Sequence, residues 1–234
     1  MNNVNKLKPV AQLIGVSKTY QGNSREINAL KDITFQAYPG EVILLLGPSG
    51  SGKSTFLTIL AGLQGPTSGE AWLFSKKIQD YSPAGLQKLR AARVGFIFQT
   101  FHLIDSLNAI ENILLVMRFN HTNKKEANFR AIQLLERFGV AHLAQACPRT
   151  LSQGEKQRVA VARALANNAT LIIADEPTGS LATEQGMNIV SLLRKSAKTE
   201  NRCIIIASHD QRIAGYADRV IFLKDGVCSE KGEM

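Results

Sequence analysis

The sequence predicts an α/β fold: a mostly parallel β-sheet, extra antiparallel strands on its N-terminal side and an inserted helical segment. Three observations lead there. Short apolar runs rich in branched residues alternate with helical patterns, as in α/β proteins. One of those runs, EVILLL at 41–46, enters a glycine-rich turn and then a helical stretch. From about 100 to 152 the strand signal disappears and apolar residues recur at helical spacing.

Taken in order, roughly the first 40 residues read as strands packed beside a core. EVILLL is a buried strand, and KSTFLTILAG after the turn is a helix closed by Gly62. Gly69–Phe74 and Val94–Phe98 are further strand candidates. Asn108–Met117 reads as a helix. Ala131, Leu134, Leu135 and Phe138 fall at i, i+3, i+4 and i+7, an amphipathic helix stopped by Gly139. TLIIAD (170–175), CIIIAS (203–208) and RVIFLKDGV (219–227) are strands, and Asp225-Gly226 in the last signals a hairpin. The expected division is an α/β core over about 1–99 and 166–234, with a helical subdomain over about 100–165.

Composition narrows the class. A chain of 234 residues suits one large domain or a core with a modest insertion. Cys147, Cys203 and Cys228 follow no metal or disulfide spacing, so reduced thiols are expected. No stretch approaches the roughly 18 apolar residues needed to span a bilayer, and the N-terminus lacks the apolar run and small-residue cleavage site of a signal peptide. A net charge of +9 would suit nucleic acid, anionic lipid or nucleotides. The basic residues are scattered, with no block of five, so direct nucleic-acid binding is not expected.

Chemistry begins at GPSGSGKST, residues 47–55, which fits the phosphate-loop pattern between a strand and a helix. The loop comprises Gly47, Pro48, Ser49, Gly50, Ser51, Gly52, Lys53, Ser54 and Thr55. Its glycines let the backbone curl and aim N–H groups at phosphate oxygens. Lys53 would reach the β- and γ-phosphates, Ser54 would hold Mg²⁺, and Thr55 would bind the α/β region. TLIIADEPTG ends a strand in Asp175-Glu176, and two adjacent acids there are costly unless they meet a cation or do chemistry. Asp175 is placed to hold Mg²⁺, and Glu176 to polarise the attacking water. His209, in ASHD, stands at another strand's carboxyl end, where ligands collect in open α/β sheets, and a γ-phosphate contact is its expected role.

LSQGEKQRVA at 151–160 opens with a helix cap, Ser152 followed three residues later by Glu155. A cap alone would explain it, but a helix N-terminus is also an anion site.

Together these motifs resemble the nucleotide-binding subunit of ABC transporters, over nearly the whole chain and in the family's order. Tyr20 in VSKTYQG occupies the place of the aromatic that stacks on adenine. Gln99 in VGFIFQTFHL matches the glutamine that touches Mg²⁺ and the lytic water. LSQGEKQRVAVARAL matches the family signature, so the resemblance implies that Ser152, Gln153, Gly154 and Glu155 face ATP held by a second copy of the chain, packed head to tail. LRAARVGFIFQTFHLIDSLNAIENI and ADRVIFLKDGV look most like the exporter branch of lipoprotein-release, macrolide-efflux and heterocyst glycolipid ATPases. That likeness implies an ATP-hydrolysing subunit on the cytoplasmic face of the inner membrane. It would drive a separate permease docked near Phe101–Asn112, with a periplasmic adaptor reached through it. Phe101, Leu103 and Ile104 are the apolar residues that fit a docking surface, with subdomain core as the alternative. The same branch holds a cell-division relative, so gating of a membrane partner without transport stays open.

Two departures stand out. Gln153 and Glu155 replace a glycine and a glutamine of the usual signature, while Ser152 and Gly154, the expected γ-phosphate donors, are kept. Ala182, in TGSLATEQG, stands where the family usually has an aspartate that bridges the two sites. Hydrolysis is still expected, slower or less tightly coupled.

Overall fold

The computed structural model describes residues 8–22, 26–120, 122–179, 181 and 183–230. Ala182 lies outside them. The chain builds two sheets. β1 (Ala11–Gln21), β2 (Glu26–Ala37), β4 (Ser68–Leu73) and β5 (Lys76–Lys77) form an antiparallel sheet in the order β2-β1-β4-β5. β3 (Val42–Leu46), β6 (Val94–Ile97), β7 (Leu171–Asp175), β8 (Cys203–Ser208), β9 (Arg219–Lys224) and β10 (Val227–Glu230) form the other, in the order β10-β9-β3-β8-β7-β6. All its pairings are parallel except the β9–β10 hairpin, which turns on left-handed Asp225 and Gly226.

The period of two along the central strands divides the core. Val42, Leu44, Leu46, Ile172, Ala174, Ile204 and Ile206 face one cluster, shared with helices α3 (Ala109–Arg118), α4 (Lys124–Arg137), α5 (Gln153–Leu165) and α6 (Thr183–Glu200). Ile43, Leu45, Leu171, Ile173, Ile205 and Ala207 face the other, against the antiparallel sheet and α1 (Lys53–Leu60). Strands buried on both faces must read as unbroken apolar runs, which is why they were visible in the sequence. Phe56 of α1 is fully buried and meets Phe35 of β2 edge to face, with centroids 5.1 Å apart.

The helical run between β6 and β7 shows the expected packing. Ala131, Leu134, Leu135 and Phe138 are all buried, Gly139 has a left-handed φ of 69°, and Asn108 caps α3 in a reciprocal bond with Glu111. Two helices have no counterpart in the sequence reading. α2 (Pro83–Arg93) has no fully buried residue, so it writes no apolar stripe. α6 does carry one, at Ile189, Val190, Leu193 and Ala197, all buried.

One ion network ties α4 to the end of α6. Glu200 accepts from Arg137 of α4 at 2.6 Å, and from Arg202 Nε at 2.8 Å. Arg202 is 4% exposed and also donates to the Ala169 carbonyl. Burial alone would raise the Glu200 carboxyl, but the hydrogen bonds from Arg137 and Arg202 outweigh it and hold it below the ordinary range. A depressed carboxyl stabilises the fold above its unfolded pKa, about 4.3, and loses that contribution as pH falls through the folded value. Glu200→Gln is therefore expected to lower unfolding stability at pH 7 by about 1–3 kcal/mol. The gap to the parent should narrow at pH 3.5, as read by urea unfolding at both values.

Candidate active site

Parallel register brings three strand ends together. Leu46 pairs with Ser208, and Ala207 with Asp175. The segments that follow β3, β7 and β8 therefore meet at the carboxyl edge of the sheet. They border a cavity of about 910 Å³. Ser49, Gly50, Gly52, Lys53, Ser54, Thr55, Gln99, Asp175, Glu176 and His209 line it, with Tyr20 from β1 at one side.

The phosphate loop is held from beneath. Gly226 of the β9–β10 turn donates to the Ser51 carbonyl at 3.2 Å, and Lys31 N–H to the Gly226 carbonyl at 2.8 Å. Gly52 caps α1 at φ 105°, and a Cβ there would stand 2.4 Å from the Ala29 carbonyl oxygen. A Cβ on Gly47 would stand 2.2 Å from the Leu223 carbonyl oxygen. Only glycine fits either place. The amides of Lys53, Ser54 and Thr55 open α1, where no preceding turn offers a carbonyl, so they add to the positive end of its dipole.

Charged and polar groups in the cavity pair with one another and with the loop. Lys53 is 8% exposed, donates to the Gly47 and Pro48 carbonyls at 2.7 and 3.0 Å, and lies 3.9 Å from Glu176 Oε1. Ser54 Oγ donates to Asp175 Oδ2 at 2.8 Å. Burial pushes the Asp175 carboxyl up; the Ser54 hydrogen bond opposes this, Glu176 adds to it and Lys53 opposes it. Glu176 is held by Ser208 Oγ at 3.3 Å and lies 3.0 Å from His209 Nδ1. His209 itself is open to solvent, with 70% of its side chain exposed. Such a set can take up a polyphosphate at the loop and a divalent cation beside Ser54 and Asp175, with a carboxylate ready to accept a proton from water. The Ser51 hydroxyl, buried with no protein partner, adds one more polar group under the loop.

Tyr20 is placed at the rim with its hydroxyl bonded to Gln64 Oε1 at 2.7 Å. Sequence reasoning missed its neighbours Ile27, Asn28, Ala29 and Lys31, which also line the cavity. Ile27 stands opposite Tyr20 only through the β1–β2 register, and no motif marks it. Ser152, Gln153, Gly154 and Glu155 do not line this cavity. They open α5 in a capping box: Glu155 Oε2 accepts from the Ser152 N–H and hydroxyl, both at 2.8 Å. Those two bonds hold the Glu155 carboxyl below its ordinary range.

Near Phe101–Asn112 the apolar residues divide. Phe101 is 9% exposed and Leu103 packs on the core, so both serve the interior. The Phe101 and His102 carbonyls are taken by Arg163. Ile104, 41% exposed, borders a groove of about 290 Å³ with Phe98, His102 and Phe119, the last 60% exposed.

A glycine cradle at a helix N-terminus, a buried lysine and paired strand-end acids define a nucleoside triphosphatase of the phosphate-loop class. The sequence pattern of the ABC transporter family matches residues 30–179. The chain belongs to that family, and it is an ATP-binding and ATP-hydrolysing member. It is 40% identical over 219 residues to the uncharacterized ABC transporter ATP-binding protein MJ0796 of Methanocaldococcus jannaschii, covering 92% of this chain and 93% of the relative. It is 40% identical over 220 residues to a putative hemin import ATP-binding protein, HrtA, of Staphylococcus haemolyticus, covering 92% and 97%. A macrolide export ATP-binding/permease protein, MacB, of Agrobacterium fabrum is 38% identical over 94% of this chain, which spans 34% of that longer protein. Among solved structures, a dimeric MJ0796 cassette superposes with a TM-score of 0.89 at 38% identity, over 94% of this chain and 98% of that one. Another, the dimeric post-hydrolysis state of MJ0796 with ADP and Pi, gives 0.88 at 37%, over the same shares.

Lys53→Ala removes a buried cation beside the loop. ATP affinity is expected to fall by about tenfold to a hundredfold, the worth of a charge-assisted hydrogen bond. Titration of a fluorescent ATP analogue checks this, and unchanged affinity would count against the loop as the phosphate site.

Proposed function

We propose that the chain is the ATPase subunit of a membrane exporter and that it works as a head-to-tail pair. Each ATP would lie between the phosphate loop of one copy and the Ser152–Glu155 helix start of the other. The observation that carries this reading is the pairing of a complete phosphate site with a second, capped anion-type helix start outside its cavity. Dimeric cassettes among the similar structures, one of them with ADP and Pi, support it.

ATP enters with adenine against Tyr20 and its phosphates in the loop, taking Lys53 and the α1 amides as partners. Gln99 and His209 flank the γ-phosphate, and Glu176 accepts the proton of the attacking water. Mg²⁺ held by Ser54, Gln99 and Asp175 would neutralise charge on the phosphates, and the raised Asp175 carboxyl is the kind that a cation relieves. Phosphoryl transfer then needs positioning and charge compensation more than covalent help from the protein. Binding closes the pair, and hydrolysis reopens it.

The membrane partner would dock in the groove bordered by Phe98, His102, Ile104 and Phe119, from the cytoplasmic face of the inner membrane. Relatives carrying their own permease support such a partner, and among the described residues no helix is long and apolar enough to cross a membrane. Relatives named for macrolide export and hemin import share this cassette, so cargo and direction belong to the partner. Export rests on the resemblance of residues 89–113 to the exporter branch, and a periplasmic adaptor rests on the same likeness. The helices between β6 and β7 would be the part that moves against the core.

Glu176→Gln is expected to keep ATP binding, lose turnover by at least about a hundredfold and accumulate an ATP-locked dimer on size-exclusion chromatography. Parental turnover would remove Glu176 as the base. Phe119→Glu should abolish recovery of the membrane partner in a detergent pull-down; undiminished recovery would move the docking site elsewhere.

A further inference from the structure

Glu176 sits in an unfavourable backbone state. Its φ is 48°, in the left-handed region, and Pro177 follows it. A non-glycine residue rarely adopts that φ, and a following proline restricts it further. Such a conformation persists only where the surroundings over-determine it.

Three hydrogen bonds surround it. Glu176 N–H donates to the Ala207 carbonyl at 2.9 Å, and Gly179 N–H to the Glu176 carbonyl at 3.1 Å. The third comes from a different element. Gln157, on the second turn of α5, is 1% exposed and donates from Nε2 to the Pro177 carbonyl at 2.8 Å. Its Oε1 is buried with no partner, so the amide is kept although half of it goes unsatisfied. Packing alone would be served better by an apolar side chain of the same length.

The same helix touches this loop once more. Gly154 lies against Gln185 and Leu181: a Cβ there would stand 2.8 Å from Gln185 Oε1 and 3.8 Å from Leu181 Cδ2. The start of α5 therefore bonds to the chain after β7 at Pro177 and lies beside Leu181 and the first turn of α6.

We propose that Gln157 is a positioning residue: its bond to the Pro177 carbonyl holds the Glu176 carboxylate in line for water and makes that placement follow the start of α5. Whatever the Ser152 end of the helix meets, a second copy's nucleotide included, is then felt at this chain's own base. The inference rests on Glu176 acting as the base.

The test is Gln157→Met in the full chain, which keeps length and removes the donor. kcat should fall by about tenfold to a hundredfold, the usual cost of loosening a group that orients a reacting one. KM for ATP should stay within about twofold. In the Glu176→Gln background, Gln157→Met should leave the yield of ATP-locked dimer unchanged, because there is no longer a base to position. Two results would overturn the proposal: a kcat within about twofold of the parent, or a rise in KM with loss of dimer yield, which is what general damage to α5 produces. If Gln157→Met fails to melt cooperatively, Gln157→Asn, which keeps the amide and loses the reach, is read the same way. Should Glu176→Gln alone keep parental turnover, the base assignment fails first and takes this proposal with it.

Discussion

The site exists because three parallel strands end in step. Leu46 opposite Ser208 and Ala207 opposite Asp175 place the phosphate loop, the acid pair and His209 on one edge. A shift of one residue in β7 would turn its alternating side chains to the wrong faces and carry Asp175 away from Ser54. The register is fixed by burial on both faces: Ile43, Ile173 and Ile205 belong to one core cluster, while Leu44, Ile172 and Ile204 belong to the other. Two cores thus hold one edge. The stability of the fold and the geometry of the site are consequences of the same pairing.

That double burial also explains what could be read from the sequence. A strand covered on both sides must be apolar throughout, so β3, β7 and β8 announced themselves, and so did the polar residues where each one stops. The phosphate loop and Asp175-Glu176 were legible because chemistry forces rare residue types into a fixed local spacing. The capping box at Ser152 was legible for the same reason, since the cap is a contact three residues long.

What stayed hidden depends on contacts distant in sequence. Ile27 joins the cavity through its register with Tyr20, and Gln157 gains its partner only when α5 packs on the segment after β7. α2 was silent because it buries none of its residues fully. Phe101, which as a sequence feature fits a docking surface with core as the alternative, lies inside, in a turn whose carbonyl Arg163 of α5 takes. Apolar character says that a residue will be covered; only the fold says by what.

The charges suggest how binding and catalysis are linked in the proposed mechanism. Lys53 rests on two loop carbonyls and within 3.9 Å of Glu176, while Ser54 holds Asp175. Phosphates in the loop would compete for the same lysine and the same hydroxyl. A lysine drawn onto phosphate would leave Glu176 with its contacts to Ser208 Oγ and His209 Nδ1. The backbone of Glu176 cannot relax in response, because its left-handed turn is pinned from β8, from Gly179 and from α5. The turn thus holds the carboxylate in place while the lysine exchanges partners. Filling the loop and releasing the carboxylate from its lysine would then be one event, and the strained turn would keep the carboxylate in position through it.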